Sequence, residues 1–218
     1  MNELHDYGIY FITDRELCGE RGVKETVRAA VDGGVRTVQL RDKHSSFDQQ
    51  LQQLEELAEV IDGRAALVIN DRVDVAVEAY RRGIAIDGVH VGQGDAAVVQ
   101  AREELGPDAI VGLTANTEEH LQAVAALPEG TVDYLGVGVI RPTSTKPDHP
   151  PALGIDGFRH LNSVSPVPTV AIGGVREEDI SPLRAAGAAG ICFVSALCAA
   201  PDAEATARRF VAQWHGAS

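Results

Sequence analysis

The chain has 218 residues, 44% of them hydrophobic and 23% charged, and a formal net charge of −13. Those proportions suit a soluble globular fold large enough to bury a full core. They argue against nucleic acid as a partner, which calls for a basic stripe facing the phosphates, and no apolar run of about 18 residues is present to span a membrane.

Lysine is scarce: Lys24, Lys43 and Lys146 stand against sixteen arginines. An acidic, lysine-poor surface points to adaptation to strong salt. It leaves small anionic ligands open. At an effective dielectric near 20, a cation about 4 Å from a phosphate oxygen contributes roughly 4 kcal/mol, whereas distant carboxylates are screened beyond about 10 Å. Local cations therefore decide the sign of a pocket. Cys18, Cys192 and Cys198 show no CxxC spacing, which argues against a disulfide framework or a zinc site. The segment 1–6 is polar and acidic, unlike a signal peptide, so a cytoplasmic protein is expected.

In chain order, apolar segments predict strands over 8–13, 37–42, 66–71, 88–93, 110–115, 131–138, 167–174 and 190–196. Between and after them, apolar stripes at helical spacing predict helices over 23–32, 47–61, 73–82, 96–105, 117–126, 156–162, 177–186 and 203–214. Gly33-Gly34 ends the first helix and Gly106-Pro107 the fourth. Near-continuous runs such as Thr169-Val170-Ala171-Ile172 suit parallel strands buried on both faces. The alternation predicts a (β/α)₈ barrel, one domain over 1–218, with chemistry at the carboxyl ends of the strands. A doubly wound open sheet would typically have fewer strands and a topological switch point.

Polar clusters fall just after the strands. After the second comes Gln39-Leu40-Arg41-Asp42-Lys43; alternation turns Gln39 and Arg41 to one side, and Lys43 continues it into the loop. The plain alternative pairs both cations with Asp42 at a solvated strand end. Asn70-Asp71 follows the third strand and Gly92-Gln93-Gly94-Asp95 the fourth. Either aspartate alone reads best as an N-cap, worth about 1 kcal/mol. Together, beside two cations, they form a plausible Mg²⁺ site, because Mg²⁺ takes one or two carboxylates and completes its shell with phosphate and water. His90 reads as a packed core histidine.

Thr114 and Asn116 follow the fifth strand, with Thr117 as a helix cap. Pro142-Thr143-Ser144-Thr145-Lys146 gathers three hydroxyls and a cation able to wrap a phosphate. It lies in the longest loop-like stretch, 140–154. Ile172-Gly173-Gly174 lets backbone approach a ligand closely. With Val194-Ser195-Ala196 it occupies the strand 7 and 8 ends, where barrels frequently bind phosphate.

Taken in order, QLRDK, ND, GVHVGQGD, PTSTK, IGGV and VSA resemble the signature of the thiamine phosphate synthases, over Tyr10 to Ser195. The resemblance implies a (β/α)₈ transferase that joins hydroxymethylpyrimidine diphosphate to thiazole phosphate and releases diphosphate, with Mg²⁺ as cofactor. It implies that Gln39, Arg41, Lys43, Asn70, Thr114 and Lys146 hold the pyrimidine diphosphate and that Asp71 and Asp95 bind Mg²⁺. Thr143, Ser144, Thr145, Gly174, Val194 and Ser195 would receive the thiazole phosphate. Arg41, Lys43 and Lys146 would be catalytic, stabilising the departing diphosphate. The partners expected are these two small molecules, with homo-oligomerisation left open.

Three positions depart from the family pattern: Thr114 for a usual serine, Asn116 for a usual histidine, and Val139-Ile140-Arg141 for a usual Pro-Ile-Tyr. The nearest rival is the sister family of thiazole tautomerases, which relies on a histidine where this chain has Asn116. A non-catalytic barrel binding a phosphate metabolite would keep Gly174 and Ser195 but has no use for Lys43, Asp71, Asp95 and Lys146 together. A phosphosugar isomerase or lyase would show an inward acid–base pair.

Overall fold

The computed structural model describes residues 6–92, 95–143 and 151–216, with backbone alone at 95 and 96. Eight parallel strands close into a barrel in sequence order: β1 (Gly8–Ile12), β2 (Thr37–Leu40), β3 (Ala66–Asn70), β4 (Gly88–Val91), β5 (Ile110–Thr114), β6 (Tyr134–Gly138), β7 (Thr169–Ile172) and β8 (Gly190–Phe193). β8 returns to pair with β1, Ile9 opposite Ile191. Around them run α1 (Arg15–Cys18), α2 (Gly22–Asp32), α3 (Phe47–Ile61), α4 (Val73–Arg81), α5 (Asp95–Leu105), α6 (Glu118–Ala125), α7 (Gly154–Val164), α8 (Ile180–Ala185), α9 (Ser195–Cys198) and α10 (Ala203–Trp214). Among the described residues, no helix is long and apolar enough to cross a membrane.

Strand alternation sorts side chains into two cores. Ile9, Phe11, Val38, Leu67, Ile69 and their counterparts face outward and meet the helices. Helix α3 shows how: Leu51, Leu54, Leu57 and Ile61 form its buried stripe, and a Ser46–Gln49 capping box closes its first turn. Each such leucine contributes roughly 1.5–3 kcal/mol of apolar burial. The inner core is smaller and holds Tyr7, Tyr10, Ile12, Val68, Tyr134, Val170 and Cys192. Tyr134 fits because Gly112 faces it: a Cβ there would stand 2.3 Å from the ring.

The expected strands overshoot at several ends. All strands except the sixth end one to three residues earlier than expected, and residue 93 lies outside the described residues. β6 and β7 also start later than expected, after residues that turn the chain up from the helix side. The segment 177–186 divides into a 3₁₀ turn, Glu177–Asp179, and then α8. The short α1 and α9 were not foreseen, since four residues carry too little periodicity to register.

Candidate functional site

The carboxyl ends of the strands surround a cavity of about 200 Å³. Gln39, Arg41 and Lys43 line it from β2, Asn70 and Asp71 from β3, His90 and Gly92 from β4, Thr114 and Asn116 from β5. Thr143, Gly173, Gly174, Val194 and Ser195 close the opposite side. The expected residues that are described all meet at this one mouth. Ser144, Thr145 and Lys146, and the side chain of Asp95, lie outside the described residues.

The β2 end keeps Asp42 away from both of its cations. Asp42 pairs with neither neighbour; it turns away and accepts from the N–H groups of His44 (2.9 Å) and Ser45 (3.0 Å), from the Ser45 hydroxyl (2.7 Å) and from Gln53 (3.0 Å). Burial alone would raise its pKa, but the bonds from Gln53, His44 and Ser45 outweigh it and hold the carboxyl well below the usual range. The solvated-pair alternative is therefore not what forms. The Arg41 N–H donates to Thr13 Oγ1 at 3.0 Å, and its guanidinium stands 3.7 Å from Asp14. Lys43 is exposed at the rim.

Asp71 is not the cap of α4; Arg72 occupies that position without a side-chain bond. Asp71 has φ +62°, a left-handed conformation that costs a non-glycine residue energy and gathers at functional sites. Its Oδ1 accepts from the Gly92 N–H at 2.9 Å and its Oδ2 from Asn70 Nδ2 at 2.7 Å. The exposed carboxylate is thus aimed by two donors on neighbouring strands, with lone pairs left over. Among the described residues no group of three His, Cys, Asp or Glu side chains gathers for a metal. One fixed carboxylate still suits Mg²⁺, whose shell is mostly water and phosphate oxygen. The backbone of Asp95 begins α5, three residues beyond Gly92.

Across the mouth, Gly173 (φ +89°) and Gly174 (φ +64°) pack directly against the loop after β6. A Cβ on Gly174 would stand 2.5 Å from the Arg141 carbonyl oxygen, and one on Gly173 2.4 Å from Val139. Backbone bonds from Ile140 and Arg141 to the Gly173 carbonyl tie the two loops together. Arg141 reaches Asp179 with two bonds of 2.9 and 2.7 Å. Those bonds hold the buried Asp179 carboxyl below the usual range. The Gly138–Val139 peptide is cis.

His90 is buried, as expected of a core histidine, but it forms part of the cavity floor and is bonded to Tyr134 and Thr114. Asn116 accepts from the Gly138 N–H at 3.3 Å and so joins the β5 and β6 loops. Ile12, Val139, Ile172, Val175 and Cys192 add apolar wall that sequence reasoning missed. For Ile12 and Cys192 the available signal was alternation, which turns the residue after next from Tyr10, and the buried position of β8, inward.

The model of the thiamine monophosphate synthase family matches residues 9–197. A thiamine-phosphate synthase of Psychrobacter sp. is 44% identical over 205 residues, 94% of each chain. One from Azorhizobium caulinodans is 45% identical over 204 residues, 93% of this chain and 92% of that one. Among solved structures, a thiamine phosphate pyrophosphorylase from Pyrococcus furiosus superposes with a TM-score of 0.79 at 28% identity, covering 94% of both chains.

Proposed function

The chain belongs to the thiamine monophosphate synthase family, and on that premise we propose how the mouth of its barrel joins two substrates. The activity is the family's: a transferase reaction in which hydroxymethylpyrimidine diphosphate and thiazole phosphate give thiamine phosphate and diphosphate. Residues 1–218 act as one catalytic domain, because β8 closing on β1 makes every strand end part of the same mouth.

The observation that carries the reading is that Arg41, Lys43 and Asp71 share one cavity with Gly174 and Ser195. Two charged ligands can lie there end to end. On the β2–β5 side, Arg41 and Lys43, joined by Lys146, hold the diphosphate, while Gln39, Asn70 and Thr114 hold the pyrimidine. On the β6–β8 side, backbone N–H groups at Gly174 and Val194 and the hydroxyls of Thr143, Ser144, Thr145 and Ser195 receive the single phosphate.

The methylene C–O bond breaks first, its electron pair leaving with the diphosphate. Arg41, Lys43 and Lys146 offset that growing charge with their own positive charge. The resulting pyrimidine methylene cation is attacked by the lone pair of the thiazole nitrogen, forming the C–N bond. The protein supplies alignment and charge stabilisation, and no general base is required. Asp71 and Asp95 would hold Mg²⁺, which when bound neutralises diphosphate oxygens. The aimed carboxylate of Asp71 supports that assignment.

The tautomerase alternative is not favoured: Asn116 is an amide that serves as a loop tie. A purely binding barrel gives no reason to gather two cations beside an aimed carboxylate. Three buried, unpaired thiols suit a reducing compartment, which supports a cytoplasmic enzyme. Incubating the protein with Mg²⁺ and both phosphorylated heterocycles should release diphosphate and form thiamine phosphate. Chelation with EDTA should abolish release and added Mg²⁺ restore it. Folded protein that gives no product from low to molar salt would overturn the reading.

A further inference from the structure

Beneath the mouth, four hydrogen bonds run from one wall of the barrel to the other. Gln39 Nε2 donates to the Tyr10 hydroxyl at 2.7 Å, and that hydroxyl lies 2.7 Å from the Tyr134 hydroxyl. The Tyr134 hydroxyl lies 3.0 Å from His90 Nδ1, and His90 Nε2 lies 3.1 Å from Thr114 Oγ1. Tyr10 and Tyr134 are at most 1% exposed, and His90 is 7% exposed. Burial pushes both phenols far above their ordinary range, so each keeps its proton.

One end of this run fixes the direction of the rest. An amide nitrogen donates and cannot accept. The Tyr10 oxygen therefore accepts from Gln39, and its own proton passes to Tyr134. The Tyr134 proton in turn passes to Nδ1 of His90. The remaining proton of His90 is then on Nε2 and is given to Thr114. With the Gln39 amide nitrogen on Tyr10, the reverse order would set the Tyr10 and Tyr134 protons against each other and leave one buried and unpaired, a costly state.

Two atoms emerge at the cavity with opposite character. Gln39 lines the cavity, and its Oε1 accepts no hydrogen bond among the described residues, which leaves it as an acceptor. Thr114 accepts from His90, so its own O–H is left to donate into the mouth. We propose that Tyr10, Tyr134 and His90 are positioning residues that give the two ends of the pyrimidine subsite opposite polarity, an acceptor at Gln39 and a donor at Thr114. A ring that donates at one end and accepts at the other fits this floor: an aminopyrimidine, with its amino group at Gln39 and a ring nitrogen at Thr114. An oxo group in place of the amino group sets an acceptor against an acceptor. The proposal rests on the pyrimidine diphosphate reading above and adds what selects the ring.

Two measurements test it separately from that reading. The first is ¹⁵N NMR of the wild-type protein, with His90 assigned through a His90→Asn variant. The ring should carry its proton on Nε2 alone; a proton on Nδ1, alone or together with one on Nε2, overturns the proposal whatever the substrate proves to be. The second compares pyrimidine methyl diphosphates bearing an amino or an oxo group in equilibrium binding. The wild type should prefer the amino compound, and Tyr10→Phe, which frees the Gln39 amide to turn over, should lose about tenfold of that preference. In turnover the change should fall mainly on KM for the pyrimidine and not on KM for the thiazole phosphate. Should Tyr10→Phe not fold, Tyr134→Phe, which removes one hydroxyl from the same run, serves in its place. Unchanged preference in a folded variant overturns the proposal. Failure of the wild type to bind either diphosphate would instead count against the pyrimidine reading, with the NMR result standing by itself.

Discussion

The floor and the rim of the cavity are made in opposite ways. On the floor, Gln39, Tyr10, Tyr134 and His90 are buried and hydrogen-bonded to one another. At the rim, Lys43 and Asp71 are exposed and Arg41 is half-buried, held by backbone bonds and a single distant carboxylate. A buried, hydrogen-bonded floor can read the shape and polarity of a neutral ring, since a mismatch there leaves a buried group unpaired. A looser cationic rim suits a ligand whose charge changes during the reaction. The difference teaches that recognition and chemistry are separable in this mouth, and substitutions can be sorted by which they damage.

The largest effect should come from the rim. Arg41→Ala or Lys43→Ala is expected to lower kcat by about 10²–10³, as for removing a donor to a developing charge. Steady-state kinetics at saturating substrate, with unfolding followed by circular dichroism, would show stability nearly unchanged. An equal loss of stability would mean that the cations hold the fold.

The strap between the β6 and β7 loops comes next. Asp179→Asn removes a charged partner from Arg141 and should cost about 1.5–3 kcal/mol in urea unfolding. The sign of the pH effect follows from the depressed carboxyl pKa of Asp179, which its bonds to Arg141 cause. Stability from that carboxylate is present above the unfolded value, about 4, and is lost as pH falls through the folded one. The wild type should therefore weaken on acidification more steeply than Asp179→Asn.

Gly112→Ala tests the floor from beneath. Its Cβ would meet the Tyr134 ring, so about 1–3 kcal/mol of stability should be lost through overpacking. Amino-over-oxo preference should fall with it, while a rim variant keeps that preference. The smallest effect concerns neither region. With a net charge of −13, added KCl should screen self-repulsion and raise the unfolding midpoint by roughly 2–4 °C. No rise in thermal melts would remove the argument for a salt-adapted surface.

Much of the rim was legible in the sequence because its information is local. Alternation through Gln39, Arg41 and Lys43 gave their common side, and most strand ends carried their own polar cluster. Asp71 was legible as a carboxylate at a strand end, but its left-handed backbone and its bond to Gly92 are set by the neighbouring strand. The floor was hidden. Tyr10 and Tyr134 are 124 residues apart and each alone reads as an aromatic in a strand. His90 was rightly taken as a core residue, yet its partners come from β5 and β6, whose inward faces are known only once the barrel closes. The Arg141–Asp179 strap joins residues 38 apart in the same way.

Single-turnover diphosphate release, measured with saturating Mg²⁺ and both substrates in the wild type, Arg41→Ala and Tyr10→Phe, tests the division most directly. The account predicts that Arg41→Ala slows the release step about 100-fold or more while keeping the amino preference. Tyr10→Phe should lose the preference while slowing release by less than about tenfold. Equal slowing of release in both variants would contradict it.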